Sequence, residues 1–136
     1  MNGYDNTLEI METVKILVAQ HKKLYLSVLA FEEVVYRRET GKYAQYLSEI
    51  MDIALDHFDL ELPFLEQFQS LDEIKARKKE HMYFVSNISR FNIDYFSPSA
   101  FEVEKVLRFI LSWVCGHIIR EGLFFDELLS RQNRAV

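Results

Sequence analysis

Along this chain apolar residues return at alternating intervals of three and four, the period of an amphipathic helix. The first such run places Val14, Leu17, Leu24, Val28, Phe31 and Val35 on one stripe together with His21. A second holds Leu47, Ile50, Ala54, Phe64 and Phe68 with His57 and Glu61. A third holds Ile74, Phe84, Ile88 and Phe91 with Arg77 and His81. The last carries Val106, Ile110, Trp113, Phe124 and Leu128 with His117 and Glu121. Three polar breaks separate the runs. Glu39-Thr40-Gly41-Lys42 contains a glycine able to stop a helix. Ser70-Leu71-Asp72-Glu73 has the spacing of a capping box, in which Ser70 and Glu73 satisfy each other's backbone N–H groups. Phe96-Ser97-Pro98-Ser99 puts Pro98 where a first helical position tolerates it, and Ser99 with Glu102 has the spacing of another box. These marks predict helices over roughly 7–38, 43–68, 71–93 and 98–131. Pro63 is expected to kink the second helix or to end it early. Four amphipathic helices with short turns bury their stripes by packing antiparallel. The expected fold is all-α, an antiparallel up-and-down four-helix bundle, with residues 1–136 as a single domain.

Composition narrows the function classes. With only four glycines and two prolines in 136 residues, the chain lacks the turn residues that sandwiches and barrels need. Its formal charge of −5 has no basic stripe to set against it, so nucleic acid is not an expected partner. The segment from Met1 to Glu12 has no basic region followed by an apolar run, and no signal peptide is expected there. Phe109 to Ile119 is interrupted by Ser112, Gly116 and His117 and falls short of the ~20 apolar residues of a membrane span. Cys115 is the only cysteine, which excludes an internal disulfide and fits a reducing compartment. The expected location is the cytoplasm.

The chemistry lies in the polar residues on the apolar stripes. Each predicted helix carries one of the four histidines, and each histidine falls on the inward stripe. Glu61 follows His57 by four residues and Glu121 follows His117 by four, so each pair shares a helix face. Arg77 precedes His81 by four. Burying an unpaired imidazole or carboxylate costs on the order of several kcal/mol, whereas a shared metal satisfies all of them. Imidazole with carboxylate suits iron, zinc, copper or manganese. Two common architectures are excluded. Ferritin-like sites need Glu-x-x-His, but Val18, Ala54, Lys78 and Val114 stand three before the histidines. The His-Glu-x-x-His of zinc proteases is also missing. Cys115 lies about 200° around the helix from His117 and is expected to face away as a small buried residue.

In order and spacing the chain resembles the bacterial hemerythrin family, four-helix bundles with a non-haem di-iron site that binds O2 reversibly. The resemblance is carried by Gln20-His21-Lys22-Lys23-Leu24, His57-Phe58-x-x-Glu61, Lys79-Glu80-His81 with Phe84, and Trp113-x-x-x-His117-Ile118. It covers about Val14 to Leu129. It implies that His21 and His57 hold the O2-binding iron, that Glu61 bridges, and that His81 and His117 serve the second iron. Trp113 would line the pocket. Two family positions differ here: Arg77 stands where the second iron's other histidine is expected, and Gly122 where a bridging aspartate is expected.

Those differences leave several site readings open. Glu121 either replaces the lost carboxylate or is a solvated surface residue. Arg77 either puts its permanent charge where the second iron would stand, pairing with Glu61, or extends out of the bundle. Iron is the expected cofactor, two ions per chain if the site is complete and one if Arg77 displaces the second; a metal-free site is the remaining reading. The expected function is the binding of O2 or a related diatomic for storage, delivery or sensing, and whether the chain is also an enzyme is left open. The alternatives are O2, peroxide or NO redox chemistry at a mononuclear or asymmetric site, and a metal-poor protein-interaction module. A protein partner or homo-oligomer is neither required nor excluded.

Overall fold

The computed structural model describes the backbone of residues 3–93 and 100–135, and the side chains of residues 7–91 and 102–131. The chain forms α1 (Gly3–Tyr36), a 3-10 turn at Thr40–Lys42, α2 (Tyr43–Leu65), α3 (Leu71–Ile93) and α4 (Ala100–Ala135). Among the described residues there is no strand, and the architecture is an all-α four-helix bundle. The helices form a closed ring. α1 packs on α2 and α4, and α3 packs on α2 and α4; among the described residues the backbones of the diagonal pairs stay apart, and α2 reaches α4 across the centre through side chains such as His57 and His117. The expected break at Phe96–Ser99, with Pro98 and the Ser99–Glu102 box, falls outside the described residues.

Local chemistry sets the helix ends. Ser70 and Glu73 form the expected box: the Ser70 N–H donates to Glu73 Oε1 and the Glu73 N–H to Ser70 Oγ, both at 3.2 Å. The end of α1 differs from the expectation at Gly41. The chain turns at Arg38, whose φ of 55° is left-handed. The Glu39 N–H donates to the Val34 carbonyl and the Arg38 N–H to the Val35 carbonyl, which is a Schellman closure with arginine in the place glycine usually takes. α2 also ends earlier than expected, at Leu65 rather than Phe68. Pro63 sits inside the helix and lacks the N–H that would reach back to Asp59; beyond it the Glu66 N–H still donates to the Leu62 carbonyl, and the chain then tightens into three-residue bonds, Gln67 to Phe64 and Phe68 to Leu65.

The stripes of α1, α2 and α3 are buried largely as the spacing predicts, but α4 is turned. Leu107, Val114 and Phe125 are buried, while Val106, Trp113 and Phe124 pack only partly against the core. A helix wedged between two neighbours buries a face wider than one residue per turn. The core falls into two apolar clusters. One contains Leu24, Val28, Phe31, Leu47, Ile50, Phe84, Ile88 and Ile110. The other contains Val14, Leu17, Phe64, Leu65, Ile74, Phe125 and Leu128. On all four helices the charged stripe residues lie between these two sets. Truncating a fully buried ring such as Phe31 or Phe84 to alanine costs about 3–5 kcal/mol.

Candidate metal centre

The layer between the two apolar clusters is polar and buried. His57, Glu61, His117 and Glu121 have no solvent exposure, and His21 and His81 only 4% and 7%. The i,i+4 spacing of His57 with Glu61 and of His117 with Glu121 projects each pair from one helix face, and α1 contributes His21 one ring position away. Five groups converge: His21, His57, Glu61, His117 and Glu121 each offer one ligand atom, and these atoms all lie within 4.8 Å of one another.

The donors crowd one point. His57 Nε2 stands 3.1 Å from His21 Nε2, 3.2 Å from His117 Nε2 and 2.6 Å from Glu61 Oε2. His117 Nε2 is 3.0 Å from both Glu61 Oε2 and Glu121 Oε1, and His21 Nε2 is 3.0 Å from Glu121 Oε1. On the other side of its ring, His57 Nδ1 donates to Gln20 Oε1 at 2.8 Å, which leaves Nε2 as the lone-pair face in the neutral imidazole. Three nitrogens and two carboxylate oxygens therefore aim their lone pairs inward. Only cations, protons or a metal ion, can satisfy such a set.

Each carboxylate uses its second oxygen toward α3. His81 Nε2 lies 3.2 Å from Glu61 Oε1, and Arg77 Nη1 lies 3.6 Å from Glu121 Oε2. Arg77 is thus an inward residue with a side chain 14% exposed, and its partner is Glu121, not the expected Glu61. The histidine rings are held by aromatic faces. His81 stacks on Phe58 at 3.8 Å with 7° between planes, and His117 stacks on Trp113 at 4.9 Å with 11°.

Electrostatics keep the carboxylates ionised. Burial favours neutral Glu61, but hydrogen bonds from His117, His57 and His81 hold its carboxyl well below the usual range. Burial likewise opposes the charge of Glu121, and hydrogen bonds from His117, His21 and His57 bring it down to about 2. Burial disfavours a charged His117, yet its hydrogen bonds to Glu121 and Glu61 lift it to about 9. His57 is raised for the same reason, with burial again opposing. His21 is lowered, because burial outweighs its bond to Glu121. Protons on the imidazoles stand where a metal cation would otherwise supply the positive charge. His117 Nδ1 is buried with no hydrogen-bond partner among the described residues.

The placement of the remaining candidates is specific. Glu121 faces the donors because α4 runs as an uninterrupted α-helix from Ala100 to Ala135, which turns position i+4 from His117 inward. Gly122 faces outward, and a Cβ there would meet nothing within 4 Å. It lines a largely apolar groove of about 450 Å³ between α1 and α4, together with Val18, His21, Tyr25, Cys115 and Ile119. Cys115 is half-buried in that groove on the same side as His21, not a fully buried core residue. Gln20 is the participant whose role the spacing did not disclose. It lies off the apolar stripe, and only the fold brings it to His57. The donor set fits a borderline metal such as iron, since imidazole and carboxylate together match its ligand preference.

With this geometry in hand, similarity to known proteins becomes informative. The chain is similar to a protein named Bacteriohemerythrin from Pseudomonas paraeruginosa (strain PA7), with 24% identity over 106 residues, 77% of this chain and 67% of the relative. No protein-family model and no solved structure matches the chain. No described helix is long and apolar enough to cross a membrane.

Proposed function

We propose that this is a hemerythrin-like iron protein that binds O2 or a related diatomic, for storage, delivery or sensing. The observation that carries this reading is the convergence of five fully or almost fully buried donors, His21, His57, Glu61, His117 and Glu121, on one point. The similarity to a bacteriohemerythrin supports iron as the metal. Iron bound here would supply a redox-active Lewis acid with room for a small exogenous ligand.

The chain's own residues do the rest. Gln20 fixes the ring of His57 so that Nε2 faces the centre. Phe58 and Trp113 hold the His81 and His117 rings in plane. The two apolar clusters exclude water above and below the layer, which strengthens every interaction inside it. The groove between α1 and α4, mostly apolar with Lys22 on its wall, comes up to His21 and would suit the approach of a small neutral molecule.

The test is gas binding by the reduced, iron-loaded protein. Expected is an absorption change on exposure to O2 or NO that reverses when the gas is removed. Irreversible oxidation of the iron with consumption of O2 would favour redox chemistry at the same residues. A folded chain that takes up no iron would remove the reading.

A further inference from the structure

Resting on the reading above, we infer that the site holds one iron ion rather than two, with α3 acting as a clamp on the carboxylates and not as a source of ligands. Ligand bonds of about 2.0–2.2 Å put neighbouring donors around one ion roughly 3 Å apart and opposite donors roughly 4.2 Å apart. The contacts among His21, His57, Glu61, His117 and Glu121 run from 2.6 to 3.4 Å, and all five donors lie within 4.8 Å. They are the edges of a single coordination sphere. Two ions sit about 3.5–4 Å apart in dinuclear centres, and their outer ligands would need to spread to more than about 6 Å.

The backs of the two carboxylates support the same conclusion. In a dinuclear centre each bridging carboxylate turns one oxygen to each ion. Here Glu61 turns Oε2 to the common point and Oε1 to His81, 3.2 Å away. Glu121 turns Oε1 to the common point and Oε2 to Arg77, 3.6 Å away. Both second oxygens, where a second ion would bind, face α3 side chains: Glu61 Oε1 is within hydrogen-bond reach of His81, and Glu121 Oε2 is in an ion pair with Arg77 that is too long for a hydrogen bond. The Arg77 guanidinium takes over the charge of that ion without offering a lone pair. His81 stands outside the five-donor group and is a positioning residue that orients Glu61. Five protein donors would leave one position for an exogenous ligand on an ion that takes six.

The experiment is metal analysis with EPR on the full chain, isolated from iron-replete cells and reloaded anaerobically with Fe(II). Expected is one iron per chain and, after oxidation, the EPR signal of an isolated high-spin ferric ion. Two irons per chain with a spin-paired, EPR-silent oxidised state overturn the inference while the iron-binding reading stands. A folded chain with no iron overturns both. His81→Ala should weaken iron affinity by about 10–100-fold yet still saturate at one ion with the same EPR signal. His81→Gln, which keeps a donor for Glu61 Oε1, should restore most of that affinity. A helical His81→Ala chain that cannot be loaded overturns the positioning role. Arg77→His exchanges the fixed charge for an imidazole and should raise the ratio above one. A ratio that stays at one overturns the role assigned to Arg77.

Discussion

The two sides of the charged layer are built differently. On one side α1, α2 and α4 pack closely and send in five side chains whose lone pairs meet at a point. On the other side α3, which packs less extensively on its neighbours, offers a guanidinium and an imidazole to the backs of two carboxylates. Both sides bury charge, but only the first concentrates lone pairs. On the one-ion proposal, a buried histidine is not by itself a ligand. What separates His57 from His81 is the number of other lone pairs competing for the same cation.

The contrast can be broken or sharpened by experiment. The largest effect is expected from His57→Ala, which removes the nitrogen that touches all four other donors. It should abolish stoichiometric iron loading, read as iron per chain, whereas a variant that still loads fully would erase the distinction between the two sides. Next comes metal removal. An ion present at about a thousand times its Kd stabilises the folded state by about 4 kcal/mol, so chelation should lower Tm by on the order of 10 °C. An unchanged Tm would mean that the five donors hold no metal. Gln20→Leu leaves every donor in place but frees the His57 ring. The expected loss is about 10–100-fold in iron affinity by competition titration, at an unchanged ratio. Gly122→Leu should fill the groove beside His21 and slow gas association in stopped-flow measurements without altering iron content. An equal association rate would show that the ligand enters elsewhere. The smallest effect lies away from the layer. Arg38→Gly relieves a left-handed arginine and should raise stability by about 0.5–1 kcal/mol in urea unfolding, with iron binding untouched.

Much of this arrangement is legible in the sequence. The three-four spacing on the first three helices identifies the buried stripe because each of those helices faces the centre along one narrow line. The Ser70–Glu73 box was readable because capping is a local exchange between four consecutive residues. Long-range choices were hidden. The rotation of α4, which buries Val114 and Phe125 in place of Trp113 and Phe124, depends on how two neighbours share its surface. The helix stop at Arg38 was concealed because glycine is the usual occupant of that conformation and Gly41 stood nearby. At the site, the inward stripes mark His21, His57, Glu61, His81 and His117 as buried, but they do not separate His81, which lies outside the five-donor group, from the other four. Glu121 was ambiguous because position i+4 from His117 faces inward only if α4 is undistorted. The partner of Arg77 could not be read, since two buried carboxylates were within reach of its long side chain. Gln20 carries no apolar signal and became visible only through its contact with His57.

The contact between His21 and Glu121 joins residues 100 positions apart. A chain leaving the ribosome at about 5–20 residues per second exposes His21 several seconds before Glu121 exists. During that interval His21, His57 and Glu61 form at most an incomplete set, and the nascent chain cannot hold iron in its finished coordination. Loading therefore waits for the last helix to dock. On the proposed reading, iron capture would report that synthesis and folding are complete, and the finished site would not be the nucleus around which the first helices assemble.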